Sequence, residues 1–168
     1  FELAFEGPTT FTDLQAGSPF NGQINFEGQG DFEYYVEVIQ GGGVDMTSNA
    51  AMFRVSIDGG QTWLKDASGA EAQYYARPSG GRVTVGGVDI WFENSTQNML
   101  AGDRFTVMPK SGLYWHENTS TRMNITPITR GDGSMDPTRL TGGKLAAYAD
   151  FNGYYVGRYK DKLNAMSE

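Results

Sequence analysis

Phe32-Glu-Tyr-Tyr-Val-Glu-Val-Ile-Gln40 is the stretch from which the fold is read. Phe32, Tyr34, Val36 and Val38 fall on one side of an extended chain and Glu33, Tyr35 and Glu37 on the other. A period of two is what a strand with one face on a core requires, because successive side chains point to opposite faces. The pattern recurs on both sides of this stretch. Phe53, Val55 and Ile57 alternate with Arg54 and Ser56, followed by Asp58-Gly59-Gly60 and Gln61-Thr-Trp-Leu64. Asp-Gly between two apolar runs is a strong hairpin signal, since the mirror-image turns that suit strand twist need positive φ. The sequence therefore predicts a hairpin here, with a second turning at Gly86-Gly87 between Val83, Val85 and Val88, Ile90, Phe92.

Phe105 with Val107, Leu113 with Trp115, and Met123 with Ile125 add three more short alternating runs. Before Asp31 the apolar pulses are broken by Gly, Pro and Asn, and predict one or two irregular edge strands. The reading is a mainly β chain, an antiparallel β-sandwich or small barrel with a C-terminal α-helix. It divides into a β domain over 1–127, a turn-rich linker over 128–139, and a helix over 140–168.

The helix carries the other strong pattern. Leu145, Ala149, Asn152, Val156, Tyr159, Leu163 and Met166 are spaced 4, 3, 4, 3, 4 and 3, a heptad seam suited to lying along other helices. Thr141 is placed to cap its start, and Gly142 and Gly143 loosen the entry. Gly153 and Gly157 each cost about 1 kcal/mol relative to Ala, so packing rather than propensity must hold the segment. No partner helix is legible elsewhere in the sequence. The chain begins at Phe1 without Met and its helical pattern runs to the last residue, so it reads as an excised fragment.

Leu140-Thr-Gly-Gly-Lys-Leu-Ala-Ala-Tyr, the Asp150-Phe151 step and Tyr159-Lys-Asp-Lys-Leu-Asn-Ala together resemble a segment of the bacterial flagellar hook-associated proteins. In type 1 of these a Gly-Gly-x-Leu stretch opens a long helix of the axial core. Asn152-Gly153 stands where that family commonly has Arg-Asp. Ala101-Gly-Asp-Arg-Phe-Thr-Val107 is similar to the Gly-Asp-x-Phe-x-Val strands in the variable β domains of hook-associated proteins and flagellins. The resemblance favours type 1 over type 3. It implies a non-enzymatic structural subunit, exported to the extracellular flagellum and assembled at the hook-filament junction with other axial subunits and copies of itself. Leu145, Ala149, Val156, Tyr159, Leu163 and Met166 would then be the assembly seam.

Composition bounds the alternatives. With 20 acidic against 13 basic residues the net charge is −7, which repels phosphate backbones, so no nucleic-acid partner is expected. No run of 18 apolar residues spans a membrane. Absence of Cys excludes disulfides, thiolate metal sites and Cys nucleophiles, and the lone His116 removes most zinc constellations. No cofactor motif is present, and neither a cofactor nor a metal is expected. Glu93 with Glu117, or Asp103 with Asp150, can be imagined as glycosidase pairs, but any acidic β protein offers such pairs. His116-Glu117 lacks the further members of a catalytic constellation.

Arg130-Gly131-Asp132 spells an adhesion tripeptide at a place where a turn is needed in any case. Asp132, Ser134 and Asp136 alternate as in a calcium loop, yet Pro137 replaces the required Gly. Asn94-Ser-Thr96, Asn118-Thr-Ser120 and Asn124-Ile-Thr126 match the N-glycosylation acceptor rule. A different class of function is raised by Trp63, Trp91, Trp115 and the doublets Tyr34-Tyr35, Tyr74-Tyr75 and Tyr154-Tyr155. Exposed aromatics on a sandwich face can stack on sugar rings, as in a carbohydrate-binding or adhesion module.

Overall fold

The computed structural model describes residues 2–93, 95–150 and 157–166; the side chains at 148–150, 157, 158, 160, 161 and 164 lie outside the description. The chain is mainly β. Among the described residues eleven strands run β1 Glu2–Glu6, β2 Thr9–Asp13, β3 Gln23–Gly28, β4 Tyr34–Gln40, β5 Met52–Ser56, β6 Tyr74–Tyr75, β7 Val83–Val85, β8 Val88–Glu93, β9 Arg104–Met108, β10 Gly112–His116 and β11 Arg122–Asn124. Two helical segments follow, α1 Gly143–Asp150 and α2 Gly157–Met166.

The strands form three antiparallel sheets with open edges: β1-β10-β11 (sheet A), β2-β9-β4-β5-β6 (sheet B) and β3-β8-β7 (sheet C). The sheets do not close into a barrel. β4 lies in the middle of sheet B, with Val36 opposite Val55 on one side and Phe105 on the other. Tyr34, Val36 and Val38 are buried, the face their alternation predicts. Each such side chain stabilises the fold by about 1.5–3 kcal/mol on full burial.

Sheet C packs its inner face on sheet B, and Phe92 joins the two. Its ring stands edge-on to Phe105 at 5.3 Å, to Phe53 at 5.7 Å and to Phe20 at 6.4 Å, arrangements favoured by the aromatic quadrupole. Ile24, Val85, Val88 and Ile90 complete the layer. The region before Asp31 thus supplies three strands, where the sequence predicts one or two. β3 pairs with β8 from Gln23↔Glu93 to Gly28↔Val88 and buries Ile24. Its pattern is obscured because Phe26, opposite Ile90, is only partly buried.

Sheet A grows from sheet B. β1 and β2 are successive pieces of one strand, and β9 and β10 successive pieces of its partner, with Glu6↔Gly112 and Thr9↔Met108 flanking the break. Two residues, Gly7-Pro8, stand there against three, Pro109-Lys110-Ser111. An unequal count bends a ribbon as a bulge does, and prolines remove ladder donors at the corner.

The two glycine turns differ. Gly86 and Gly87 have φ of 57° and 84° and close β7 onto β8 with Val85 opposite Val88, as predicted. At Asp58 the predicted hairpin does not form, because Gln61-Thr-Trp-Leu64 is not a strand. The Asp58 carboxylate accepts hydrogen bonds from Gln61 N–H (3.1 Å), Thr62 N–H (2.8 Å), Thr62 Oγ1 (2.5 Å) and Ser56 Oγ (2.7 Å). These bonds curl the chain back on itself, with positive φ at Gly59 and Gly60 (74° and 88°). β5 then takes β6 as its second neighbour, Phe53 opposite Tyr74.

Candidate functional site

The residues from Ile125 to Leu140 are tied to the β domain at several points. Leu113 N–H donates to Thr126 Oγ1 at 2.9 Å, Asp136 N–H to the Ile128 carbonyl at 2.9 Å, and Leu140 N–H to the Ile125 carbonyl at 3.1 Å. Ile128, Thr129 and Asp136 are buried. The anchor is Arg139, whose Nη2 and Nη1 meet Glu33 Oε1 at 2.6 Å and Oε2 at 2.8 Å, while Nη1 also reaches the Thr126 carbonyl at 3.1 Å. A planar guanidinium gripping both carboxylate oxygens fixes direction as well as distance. The chain therefore enters α1 from a defined place on the sheet.

Beside this pair the Tyr114 hydroxyl is buried, and burial, followed by the negative charge of Glu33, pushes its pKa up to about 12. Arg130-Gly131-Asp132 occupies the tip of a tight hairpin in this segment. Arg130 N–H bonds the Ser134 carbonyl, Gly133 N–H the Arg130 carbonyl, and Asp132 Oδ1 accepts from Ser134 N–H and Oγ. The Ser134 bonds hold the Asp132 carboxyl below the usual carboxylate range.

Beyond Leu140 the seam residues separate. In α1, Leu145 is half-buried, while its neighbour Ala146, outside the seam, is only 1% exposed. The Ala149 side chain and Val156 lie outside the described residues. In α2, Tyr159, Leu163 and Met166 are 63%, 66% and 84% exposed. At spacings of four and three they share one helix face, an apolar stripe turned to solvent.

A second exposed apolar surface lies on sheet A. Leu3, Phe5 and Met123 are 50%, 59% and 60% exposed, with Trp115 at 37% between them. Leu3 stands opposite Trp115 and Trp115 opposite Met123, so these three form a row across all three strands. The reverse face of the sheet is polar and aromatic. His116 Nε2 lies 2.6 Å from Glu6 Oε1, a hydrogen bond when that nitrogen carries the proton, and Arg122 pairs with Glu6 while its guanidinium covers Phe11 and Tyr114.

Apart from Trp115, the described aromatic residues that raise sugar binding are engaged within the domain. Arg54 lies 3.8 Å over the ring of Trp63, fixed by Glu37 at 2.8 Å and Glu71 at 3.0 Å; Arg82 lies 3.9 Å over Trp91 and pairs with Glu27. Each ring thus has one face covered by a cation. Ile90 and Phe92 are buried and Trp91 points away from them, as alternation requires. Tyr34 is buried and donates to the Gly86 carbonyl at 3.2 Å; Tyr35 leans on Trp63, Tyr74 stacks on Phe53, and Tyr75 lies under Arg77. Tyr154 and Tyr155 lie outside the described residues.

Among the acid candidates, Asp103 is buried and accepts from Gln15 N–H at 3.0 Å, Ser18 Oγ at 2.6 Å and Leu100 N–H at 2.9 Å, a loop-fixing role. Glu93 accepts from Asn25 Nδ2 at 3.2 Å. The Asp150 side chain and Asn94 are outside the description. Asn118 caps its own turn through Ser120 and Thr121 N–H, and Asn124 Nδ2 donates to Glu33 Oε2. Among the described residues no three His, Asp or Glu side chains are grouped to hold a metal ion, and no helix is long and apolar enough to cross a membrane.

Sequence reasoning misses the Glu33–Arg139 pair, for which no local signal exists. It also misses Leu3 and Phe5, although their alternation with Glu2, Ala4 and Glu6 is a strand signal. Compared with known proteins, no family model matches the chain, and no curated protein or solved structure is significantly similar to it.

Proposed function

We propose that this chain is the outward β domain, with part of an axial helix, of a non-enzymatic structural subunit of the bacterial flagellum. It is of the hook-associated kind, type 1 rather than type 3, exported to the cell exterior and assembled at the hook-filament junction. One observation carries the reading: Tyr159, Leu163 and Met166 present an apolar stripe to solvent, while the sandwich closes its core without them. A stripe of this kind is stable in an assembly where neighbouring helices cover it. The Glu33–Arg139 anchor supports the same reading, since a subunit that transmits force or position needs its helix fixed to its outer domain.

The carbohydrate-binding or adhesion alternative draws less support. It needs ring faces open in a groove, and Arg54 and Arg82 cover one face each of Trp63 and Trp91.

The experiment changes Val156 and Leu163 together to Asp in the full-length parent. The expected result is an unchanged thermal unfolding transition of the β domain with assembly and motility abolished, because burying unpaired carboxylates at an interface is strongly unfavourable. Intact assembly would sink the reading. Unfolding of the β domain would place the helix in the domain's own core and favour the binding module.

A further inference from the structure

We infer that the tip Arg130-Gly131-Asp132 is a recognition site for a cation-dependent adhesion receptor on animal cells, an activity beyond the structural role and carried by none of the residues of α2. The sequence contains the tripeptide, and the structure shows how it is held. Below the tip, Ile128, Thr129 and Asp136 are buried, and Thr129 bridges Met135 in antiparallel register. Asp136 N–H bonds the Ile128 carbonyl at 2.9 Å, and Arg130 N–H bonds the Ser134 carbonyl at 2.8 Å. This neck lies so close to the Asp58 turn that a Cβ on Gly59 would fall 3.0 Å from Asp136 Oδ2 and 3.5 Å from Ile128 Cδ1. Above the neck, Gly131, Asp132, Gly133 and Ser134 are exposed, and a Cβ on Gly131 or Gly133 would meet nothing within 4 Å. The tip therefore stands clear of the domain on a fixed base. A loop that is ordered before it is gripped loses less entropy on binding.

The two charged side chains keep bonding capacity for a partner. Ser134 N–H and Oγ both donate to Asp132 Oδ1, at 2.8 Å and 2.7 Å, which orients the carboxylate and leaves Oδ2 outside these bonds. An ionised carboxylate oxygen is a ligand for a hard divalent cation, here one held by the receptor. Arg54, Arg82, Arg104, Arg122 and Arg139 are each held by a carboxylate, whereas Arg130 is in no such pair among the described residues. Arg130 is half-buried, and its covered Nε has no hydrogen-bond partner. Its stem thus rests on the neck, and its planar charge is left for a carboxylate of the receptor. Gly131 between the two has no side chain to hold a receptor surface away. A tripeptide recurs by chance; the exposed tip, the buried base and the uncommitted charges carry the inference.

Attachment of animal fibroblasts to a surface coated with the whole chain tests this. In buffer containing Mg²⁺ the cells are expected to attach to the unmodified chain and not to an albumin coat. Chelating the cation with EDTA, or adding a free peptide that contains Arg-Gly-Asp, is expected to bring attachment down to the albumin level. Asp132→Glu keeps the charge but moves the carboxylate by one methylene, and is expected to lose attachment to the same level. That variant also disturbs the bonds to Ser134, so Gly131→Ala is the second. The φ of Gly131 is not left-handed and an added methyl meets no atom of the chain, so the fold is retained while the receptor surface is held off. Thermal unfolding is expected to be unchanged in Gly131→Ala, with attachment lost. Any of three results would overturn the proposal: attachment to the unmodified chain no better than to albumin, attachment that survives EDTA, or attachment that survives both substitutions. None of them bears on the flagellar reading, which is judged by motility of the Val156→Asp, Leu163→Asp parent.

Discussion

Arg139 and Glu33, separated by 106 positions in the chain, meet in a two-pronged ion pair in which the carboxylate side chain is only 6% and the guanidinium side chain 17% exposed. The pair fastens the segment leading into the helices to the residue that precedes β4. Its energetics follow from burial. Removing one partner leaves the other charged, desolvated and alone, which costs far more than the pair itself contributes.

Arg139→Met is therefore expected to destabilise the chain by about 3–5 kcal/mol, read as a lower urea midpoint. The double variant Glu33→Leu, Arg139→Met is expected to recover most of that loss, since no charge is left unpaired. Equal destabilisation by the single and double variants would show that packing, and not charge, dominates at this joint.

Asp58 sets the acid limb. Burial alone raises its pKa, but the hydrogen bonds from Thr62, Ser56 and Gln61 outweigh burial and hold the carboxyl below its usual value. A depressed folded-state pKa contributes stability that is present above the unfolded value near ~4 and is lost as pH falls through the folded value. Unfolding midpoints are expected to drop below about pH 4, and Asp58→Asn is expected to be less stable at neutral pH but flatter over that interval. An identical acid limb in the variant would assign the loss to other carboxylates.

Tyr114 governs the opposite end. Its folded pKa of about 12 exceeds the unfolded value of 10.0, so its contribution is complete below pH 10 and is lost as pH rises toward 12. Tyr114→Phe is expected to blunt the alkaline decline in melting temperature. Its effect at pH 7 is expected to be small, because the hydroxyl has no hydrogen-bond partner among the described residues. A large loss at pH 7 would reveal a bond to that hydroxyl, and the argument would fail.

The glycine turns make a backbone prediction. Gly87 has φ of 84° and Gly59 has φ of 74°, with a Cβ at Gly59 falling 3.0 Å from Asp136 Oδ2. Gly59→Val and Gly87→Val are each expected to cost about 1–2 kcal/mol or more and to lower the melting temperature. Gly80→Ala is the control: its φ is not left-handed, and an added Cβ meets nothing within 4 Å. Silent substitutions at both turns would contradict the left-handed backbone conformation of these two glycines.

The sequence alone determined the β class and the buried faces of β4, β5, β8 and β9, because alternation at period two is a local consequence of the pleat and needs no knowledge of partners. It also located the Gly86-Gly87 turn and the apolar stripe of α2, both properties of short stretches. What Asp58-Gly59-Gly60 would build was not decided locally. A hairpin signal was redirected when the Asp58 side chain captured the following amides, and β5 found β6 eighteen or more residues farther on. The division of strands among three sheets, the corner at Gly7-Pro8 and Pro109, and the meeting of Glu33 with Arg139 belong to tertiary structure. Each joins residues far apart in the chain, and such contacts depend on which edges and faces are brought together when the core closes, information that no window of neighbouring residues contains.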